Sequence, residues 1–404
     1  MSLEGKRKEI QKSKYGVSEN RSKLLPQINA IAGYNNNFDP PVSVTDGSSY
    51  GVPYNITKTL QHSANAGLEM QMPLFNQTLY TSMSIAKVME EISRLSYGKA
   101  REDVILQISK MYYLGQVTAE QIMLIKANIT RLEELRDITQ AFFDNGMSME
   151  VDLKRVNINL ENLKVQYDNA QAMMKQQLNM LKYIMDYPAE KEIALTPVNT
   201  DSITTVALTG LSENIYELQL SQSQVQLAER QKKIITNGYI PSLSLTGSWR
   251  YAAYTDKGYH WFHSGPSNQW FRSYGVGLTL RIPIYDGLDK TYKIKKAMID
   301  IENKRLAWED ARKNLQTQYL NAVNDLMNNQ RNFKKQKDNY LLAEDVYAVT
   351  SDRYREGIAS MTEVLQDEMQ MSEAQNNYIS AHYNYRVTNL MLLKLTGQIE
   401  SLVK

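Results

Sequence analysis

The chain has 404 residues, a formal net charge of +2, 42% hydrophobic residues and no cysteine. That length supports a large core, the near-neutral balance argues against a nucleic-acid binder, and the missing thiols exclude disulfides, thiolate metal sites and cysteine nucleophiles. Cysteine-free composition also fits an oxidising or extracytoplasmic setting. Aromatic usage is lopsided, with 26 Tyr and 4 Trp against 7 Phe, which suits places where an apolar body meets water. No run of about 18 apolar residues encodes a transmembrane helix, and no signal peptide is read.

Residues 1–23 open on Met1-Ser2-Leu3, which reads as an appended start, followed by "EGKRKEIQKSKYGVSENRSK", which has the character of the middle of a polar helix. Native N-terminal sequence is therefore expected ahead of a first helix that is cut short here.

From Leu24 onward the chain is written twice. "LLPQINAIAGYNNNF" from Leu24 returns as "YIPSLSLTGSWRYAA" from Tyr239, "GLEMQMPLFNQTLY" from Gly67 returns as "GLTLRIPIYDGLDK" from Gly277, and Gly146 in "FFDNGMSMEVDL" matches Gly357 in "RYREGIASMTEVL". The three landmarks keep their order at an offset of about 210 residues, which marks a duplicated unit. Each unit reads as strand, long loop, strand, very long helix, glycine turn and returning helix.

The hairpin at 24–75 alternates Ala66, Leu68, Met70, Met72 and Leu74 against Gly67, Glu69 and Gln71. Its companion at 239–285 alternates Leu243, Leu245, Trp249 and Tyr251 against Ser242, Ser244, Thr246, Ser248 and Arg250, then Val276 to Ile284 against Gly275 to Arg281. The run around Ile28 to Tyr34 alternates less cleanly. Period-two patterns of about 9 to 11 residues fit tilted bilayer-spanning strands as well as a soluble sheet with one wet face. The long loops 35–63 and 254–272, rich in Tyr, Trp, His, Asn and Gly, favour the first reading. Four strands cannot close a membrane barrel, which needs at least eight, so several subunits must share it.

The helices are expected at 76–187, with a reversal at Gly146, at 211–238, and at 286–404, with a reversal at Gly357. No proline interrupts residues 76–145 or 286–356, and about 70 residues make roughly 100 Å of helix. Val104, Ile108, Met111, Gly115, Ile122, Ile125, Ile129 and Leu132 step by fours and threes with one longer gap, while Tyr319, Leu326, Phe333, Tyr340, Tyr347 and Tyr354 recur on sevens. Both patterns are coiled-coil seams. Between the repeats, 188–210 breaks the pattern with Pro188, Pro197 and Gly210 and reads as a small belt outside the helices. A glycine at each reversal supplies the left-handed backbone of a tight helix end.

With the repeat aligned, the sequence resembles the TolC-like outer-membrane efflux protein family. The carriers are "LLPQINAIAGY" and "YIPSLSLTGSW", "MPLFN" and "IPIYDG", and "RYREGIASMTEVLQDEMQMSEAQNNYISAHYNY". The resemblance implies a mainly α fold with a β-barrel portion. Three copies would close a twelve-stranded outer-membrane barrel above a periplasmic α-helical tunnel, a passive exit duct for tripartite efflux or type I secretion. It implies, as partners, a homotrimer, a periplasmic adaptor protein, an inner-membrane pump reached indirectly, and outer-membrane lipid. The turns Asn145-Gly146-Met147 and Glu356-Gly357-Ile358 are expected to dock the adaptor. At the periplasmic entrance, Asp152 and Glu363, each six residues past a turn glycine, are expected to face the constriction. Asp367 stands beside Gln366, where the family often has a second acid, and Tyr354 is expected to hydrogen-bond across helices to Asp152.

Other features weigh less. His260 and His263 in "YHWFHS" have a possible metal spacing but fall short of a closed site, and no catalytic constellation, phosphate loop, metal site or cofactor is expected. A soluble coiled-coil structural or adhesive protein is the competing class.

Overall fold

The computed structural model describes residues 3–46, 53–197, 210–256 and 270–403; His260, His263 and most of the expected belt lie outside them. The chain forms two compact units, one of Met1–Arg94 with Ser221–Ala307, the other of Leu95–Leu220 with Trp308–Lys404.

The first unit holds α1 (Leu3–Ser22), a four-stranded antiparallel sheet, the opening turns of α2 (Gln77–Asp144) and α5 (Asp289–Arg355), and most of α4 (Tyr216–Asn237). The sheet strands are β1 (Gln27–Asn36), β4 (His62–Phe75), β5 (Ser242–Thr255) and β6 (Trp270–Arg281), in that spatial order. Both repeats thus contribute to one sheet, joined through β4 and β5, with β1 and β6 as its open edges.

The register sorts side chains by face. Ala30, Leu68, Trp249 and Tyr274 share a row, as do Ile28, Met70, Gly247 and Val276. Asn29, Glu69, Ser248 and Gly275, and Gln27, Gln71, Thr246 and Gly277, form rows on the opposite face. One face is therefore apolar and aromatic, the other polar and small. Leu68, Trp249, Tyr274, Val276, Leu278 and Leu280 on the apolar face are all exposed. No helix among the described residues is long and apolar enough to cross a membrane.

Two expectations change here. The loop 35–63 carries its own hairpin, β2 (Val42–Asp46) paired with β3 (Tyr54–Lys58), because its β-branched residues alternate over a short stretch. The matched prolines also act differently. Pro73 sits in β4 at a bulge next to Phe75, a place where an internal strand tolerates a missing N–H, whereas β6 ends at Arg281, ahead of Pro283, so Ile282 and Ile284 lie beyond the strand.

The second unit is helical. It contains most of α2 and α5 with the returning helices α3 (Glu150–Ile184) and α6 (Met361–Leu395) and a closing 3-10 turn at Ile399–Val403. The α5 seam of sevens is confirmed. Tyr319, Leu326, Tyr347 and Tyr354 are buried, and Phe333 stacks against Tyr378 and Tyr385 of α6 at ring distances of 5.8 Å. On α2 the seam is shifted: from Ile125 onward the buried positions are Ile125, Asn128, Leu132, Leu135 and Thr139, and of the expected set Gly115, Ile125 and Leu132 are buried. The reason is that α6 presents polar partners. Asn128 Nδ2 donates to Gln375 Oε1 at 2.7 Å in the buried seam, so a hydrophobic count misses that register.

Helix α6 is buried on more than one side, from Met361 and Val364 through Met371 and Tyr378 to Leu392. Fully buried His382 accepts from Arg386 Nε at 3.0 Å, and its Nδ1 stands 3.4 Å from Glu120. By contrast α3 buries one stripe, Val156, Leu160, Leu163, Ala170, Gln177 and Leu181. Two further heptad stripes stay exposed: Val151, Ile158 and Val165 on α3, and Leu320, Met327 and Leu341 on α5. Of the expected belt, Leu195 and Thr196 lie against α2, where Gln116 Nε2 donates to the Thr196 carbonyl at 2.7 Å.

A buried acid lies where α2, α4, α6 and the 3-10 turn gather. Burial pushes Glu102 up to about 7, against the pull of Lys394 and with help from Glu400 and Asp103. The fold therefore holds this proton more tightly than the unfolded chain. Its stabilisation is complete below the ordinary carboxyl value of 4.5 and is lost as pH rises through about 7. Glu102→Gln is expected to raise thermal stability at pH 8 by up to about 3 kcal/mol and to change little at pH 4. Melting curves of the detergent-solubilised protein at both pH values check this, and an equal change at each would disprove the linkage.

Candidate functional site

The two helix reversals lie in the second unit and line one hollow of about 540 Å³, with Phe142, Gly146, Asp152, Tyr354, Gly357 and Thr362 in its wall. Each reversal closes α2 or α5 with the same hydrogen bonds. Gly146 N–H donates to Phe143 O at 2.9 Å and Met147 N–H to Phe142 O at 2.8 Å; Gly357 N–H donates to Tyr354 O at 2.9 Å and Ile358 N–H to Arg353 O at 2.8 Å. Both glycines have φ of +75°, the left-handed C-terminal cap that a side chain would strain. A Cβ added at either meets nothing within 4 Å. Asn145, Met147, Glu356 and Ile358 are exposed around these glycines, so both turns present an open apolar and polar rim.

The acids expected at the constriction have local duties. Asp152 and Glu363 both occupy the third position of a helix, counted from N-caps Met149 and Ser360. An acid there opposes the positive end of the helix dipole, which accounts for the matched spacing from each glycine. Glu363 completes a capping box: its Oε2 accepts from Ser360 N–H at 3.0 Å, and Ser360 Oγ accepts from Glu363 N–H at 3.3 Å. Its carboxylate is thus folded back onto its own helix. Asp152 accepts from Arg155 Nη1 at 3.3 Å, and the same nitrogen lies 3.3 Å from Thr362 Oγ1, tying α3 to α6. Asp367 is half-buried one turn further along α6.

Tyr354 does cross to another helix, but its partner is not Asp152. Its hydroxyl lies 3.2 Å from Thr139 Oγ1 on α2. Thr139 already donates to Leu135 O at 2.7 Å, so Tyr354 is the donor in their bond. Phe142 packs on the ring at 5.6 Å. Thr139 and Arg155 carry no periodic or compositional signal; their roles emerge only from the packing. The Ser360-Met361-Thr362-Glu363 box, in contrast, is a legible serine-to-glutamate spacing.

Glu368 is a further acid that pattern reading passes over. It is 5% exposed, its Oε1 is buried without a hydrogen-bond partner, and burial raises its pKa. Tyr347 senses its charge.

Removing the Tyr354 hydroxyl is expected to cost about 0.5–1.5 kcal/mol of stability. In a double-mutant cycle, Tyr354→Phe and Thr139→Val should be strongly non-additive. Additive effects on thermal stability would show that the two hydroxyls do not tie α5 to α2.

The outer membrane efflux protein family model matches residues 2–185 and 207–398. The chain is 21% identical over 399 residues to outer membrane protein TolC of Vibrio cholerae serotype O1, covering 95% of this chain and 84% of that relative. Among solved structures, it is similar to CusC with a TM-score of 0.80 at 16% identity, covering 98% of this chain and 88% of the other. VceC from Vibrio cholerae gives a TM-score of 0.76 at 14% identity, covering 97% and 92%. A duplicated hairpin and helix pair of this kind, matched along nearly its whole length, defines an export protein of the bacterial outer membrane. The chain belongs to the outer membrane efflux protein family. Its role is efflux, and the soluble coiled-coil alternative is set aside.

Proposed function

We propose that three copies form a passive duct across the outer membrane and periplasm, each giving four strands to a twelve-stranded barrel and its helices to a tunnel. The observation that carries this reading is the open sheet. It has two unpaired edges, β1 and β6, one exposed apolar face and one polar face. Edge closure between copies satisfies the strands, lipid covers the apolar face, and the polar face lines an aqueous lumen. The exposed stripes of α3 and α5 supply the seams between protomers.

The Gly146 and Gly357 turns receive a periplasmic adaptor, through which an inner-membrane pump supplies the energy. Tyr354 and Thr139 hold the entrance shut. Asp152, with Arg155, braces α3 against α6. Asp367, further along α6, belongs to the same entrance region. No catalytic role is assigned to any of these residues.

The test is extraction and reconstitution. The protein is expected to leave outer membranes only in detergent, to run as a trimer, and to open discrete channels in planar bilayers. A monomer that stays soluble without detergent would overturn the duct.

A further inference from the structure

Only four formally charged side chains stand on the four sheet strands, Glu69, Arg250, Arg272 and Arg281. The register places Glu69, Arg250 and Arg281 on the polar face. Arg272 lies on the apolar face, in the row of Ala32, Ala66 and Tyr251, with its guanidinium over the Tyr274 ring. On the polar face Glu69 and Arg250 form an ion pair and cancel. Arg281 is exposed, pairs in register with Ser242 at the sheet end from which α5 departs, and has no acid within ion-pair reach among the described residues.

The surrounding polar face is small. Gly275 and Gly277 lie opposite Ser248 and Thr246 and help leave a hollow of about 440 Å³ that Glu69 and Gln71 also line. Bulk therefore does little to select cargo along this face, and charge is what remains.

We propose that Arg281, in three copies, is the charge-selecting residue at the inner mouth of the barrel, and that the duct favours organic anions there. The proposal rests on the trimeric duct. Twelve strands spaced about 4.8 Å apart and tilted about 40° put the axis about 12 Å from the backbone. A long side chain reaching inward leaves its charge within one Debye length of that axis, about 8–10 Å at physiological salt. Three like charges then act on the same passing ion, and a lumen with low-dielectric walls focuses their field.

Selectivity is measured from reversal potentials of reconstituted channels in a potassium chloride gradient. Arg281→Gln is expected to lower the chloride-to-potassium permeability ratio roughly threefold. Arg281→Lys should hold the wild-type ratio, and Arg272→Gln, on the lipid side, should leave it unchanged. An unaltered ratio in Arg281→Gln channels, or an equal shift in Arg272→Gln, overturns the proposal while the duct stands. Failure of the wild-type protein to form channels would sink the duct itself. A second measurement needs no variant. Inorganic pyrophosphate added on the helical side should block wild-type current at about 0.1 M salt and release it at about 1 M, where the Debye length falls to about 3 Å. Absence of block at low salt, or block indifferent to salt, also overturns the proposal.

Discussion

Tryptophan in place of Gly146 or Gly357 abolishes efflux while trimers still reach the membrane, and alanine at the same positions leaves most efflux intact. That is the expected result, and its force lies in the contrast. Both substitutions impose the same backbone penalty, about 1–2 kcal/mol for a residue other than glycine held at φ of +75°. Neither meets the protein itself at Cβ, since nothing lies within 4 Å of that position. A side chain at either turn therefore starts in open space beside the hollow, and an indole there extends into the region the proposed partner would occupy. Drug susceptibility in an efflux-deficient host, read alongside trimer content of the outer membrane, separates the two effects. Normal resistance in both tryptophan variants would remove the turns from the adaptor interface. Loss with alanine as well would assign the effect to strain.

A second large effect is expected at the exposed stripes. Leu320 and Met327 stand on α5 one position beyond buried Tyr319 and Leu326, so the helix carries two neighbouring seams, one packed and one bare. Leu320→Glu with Met327→Glu should leave the protomer fold intact, because both side chains already face solvent, yet prevent trimers. Each assembled seam would have to bury two unpaired carboxylates in every copy, at several kcal/mol each. Ile158→Glu on α3 should act in the same sense. Leu326→Glu, in the buried seam, should instead unfold the protomer. Sizing in detergent and helix content by circular dichroism distinguish these outcomes, and stable trimers of the α5 double variant would place the protomer boundary elsewhere.

The repeat, the strands and the long helices were legible because each rests on a period that survives substitution: two for strands, seven for seams, about 210 for the duplication. The glycine turns were legible for a different reason, since only a left-handed backbone position makes a glycine worth keeping at matched ends of two long helices. What periodicity does not encode is the identity of a partner across the packing. The resemblance implied Asp152 as the partner of Tyr354, but its acceptor, Thr139, sits more than 200 residues away on a helix whose seam is partly polar. Asp152 and Glu363 share a helix position: both stand third from an N-cap, where an acid opposes the helix dipole, and of the two only Glu363 closes a capping box. The β2–β3 hairpin was hidden for want of length, each strand having five residues.

The bare rims of the sheet have a bearing on biogenesis. A newly exported protomer with β1 and β6 unpaired and an apolar face uncovered offers a template for pairing with any extended chain it meets. In the trimeric duct proposed above the barrel cannot mature in isolation, so the strand region should become protected from proteolysis at a rate that rises steeply with protomer concentration, while the helical region, with its own buried seams, matures independently of it. Dilute secretion would then favour degradation over insertion, and periplasmic holding factors that shield strands would set the yield of working channels more strongly than the intrinsic stability of the helices.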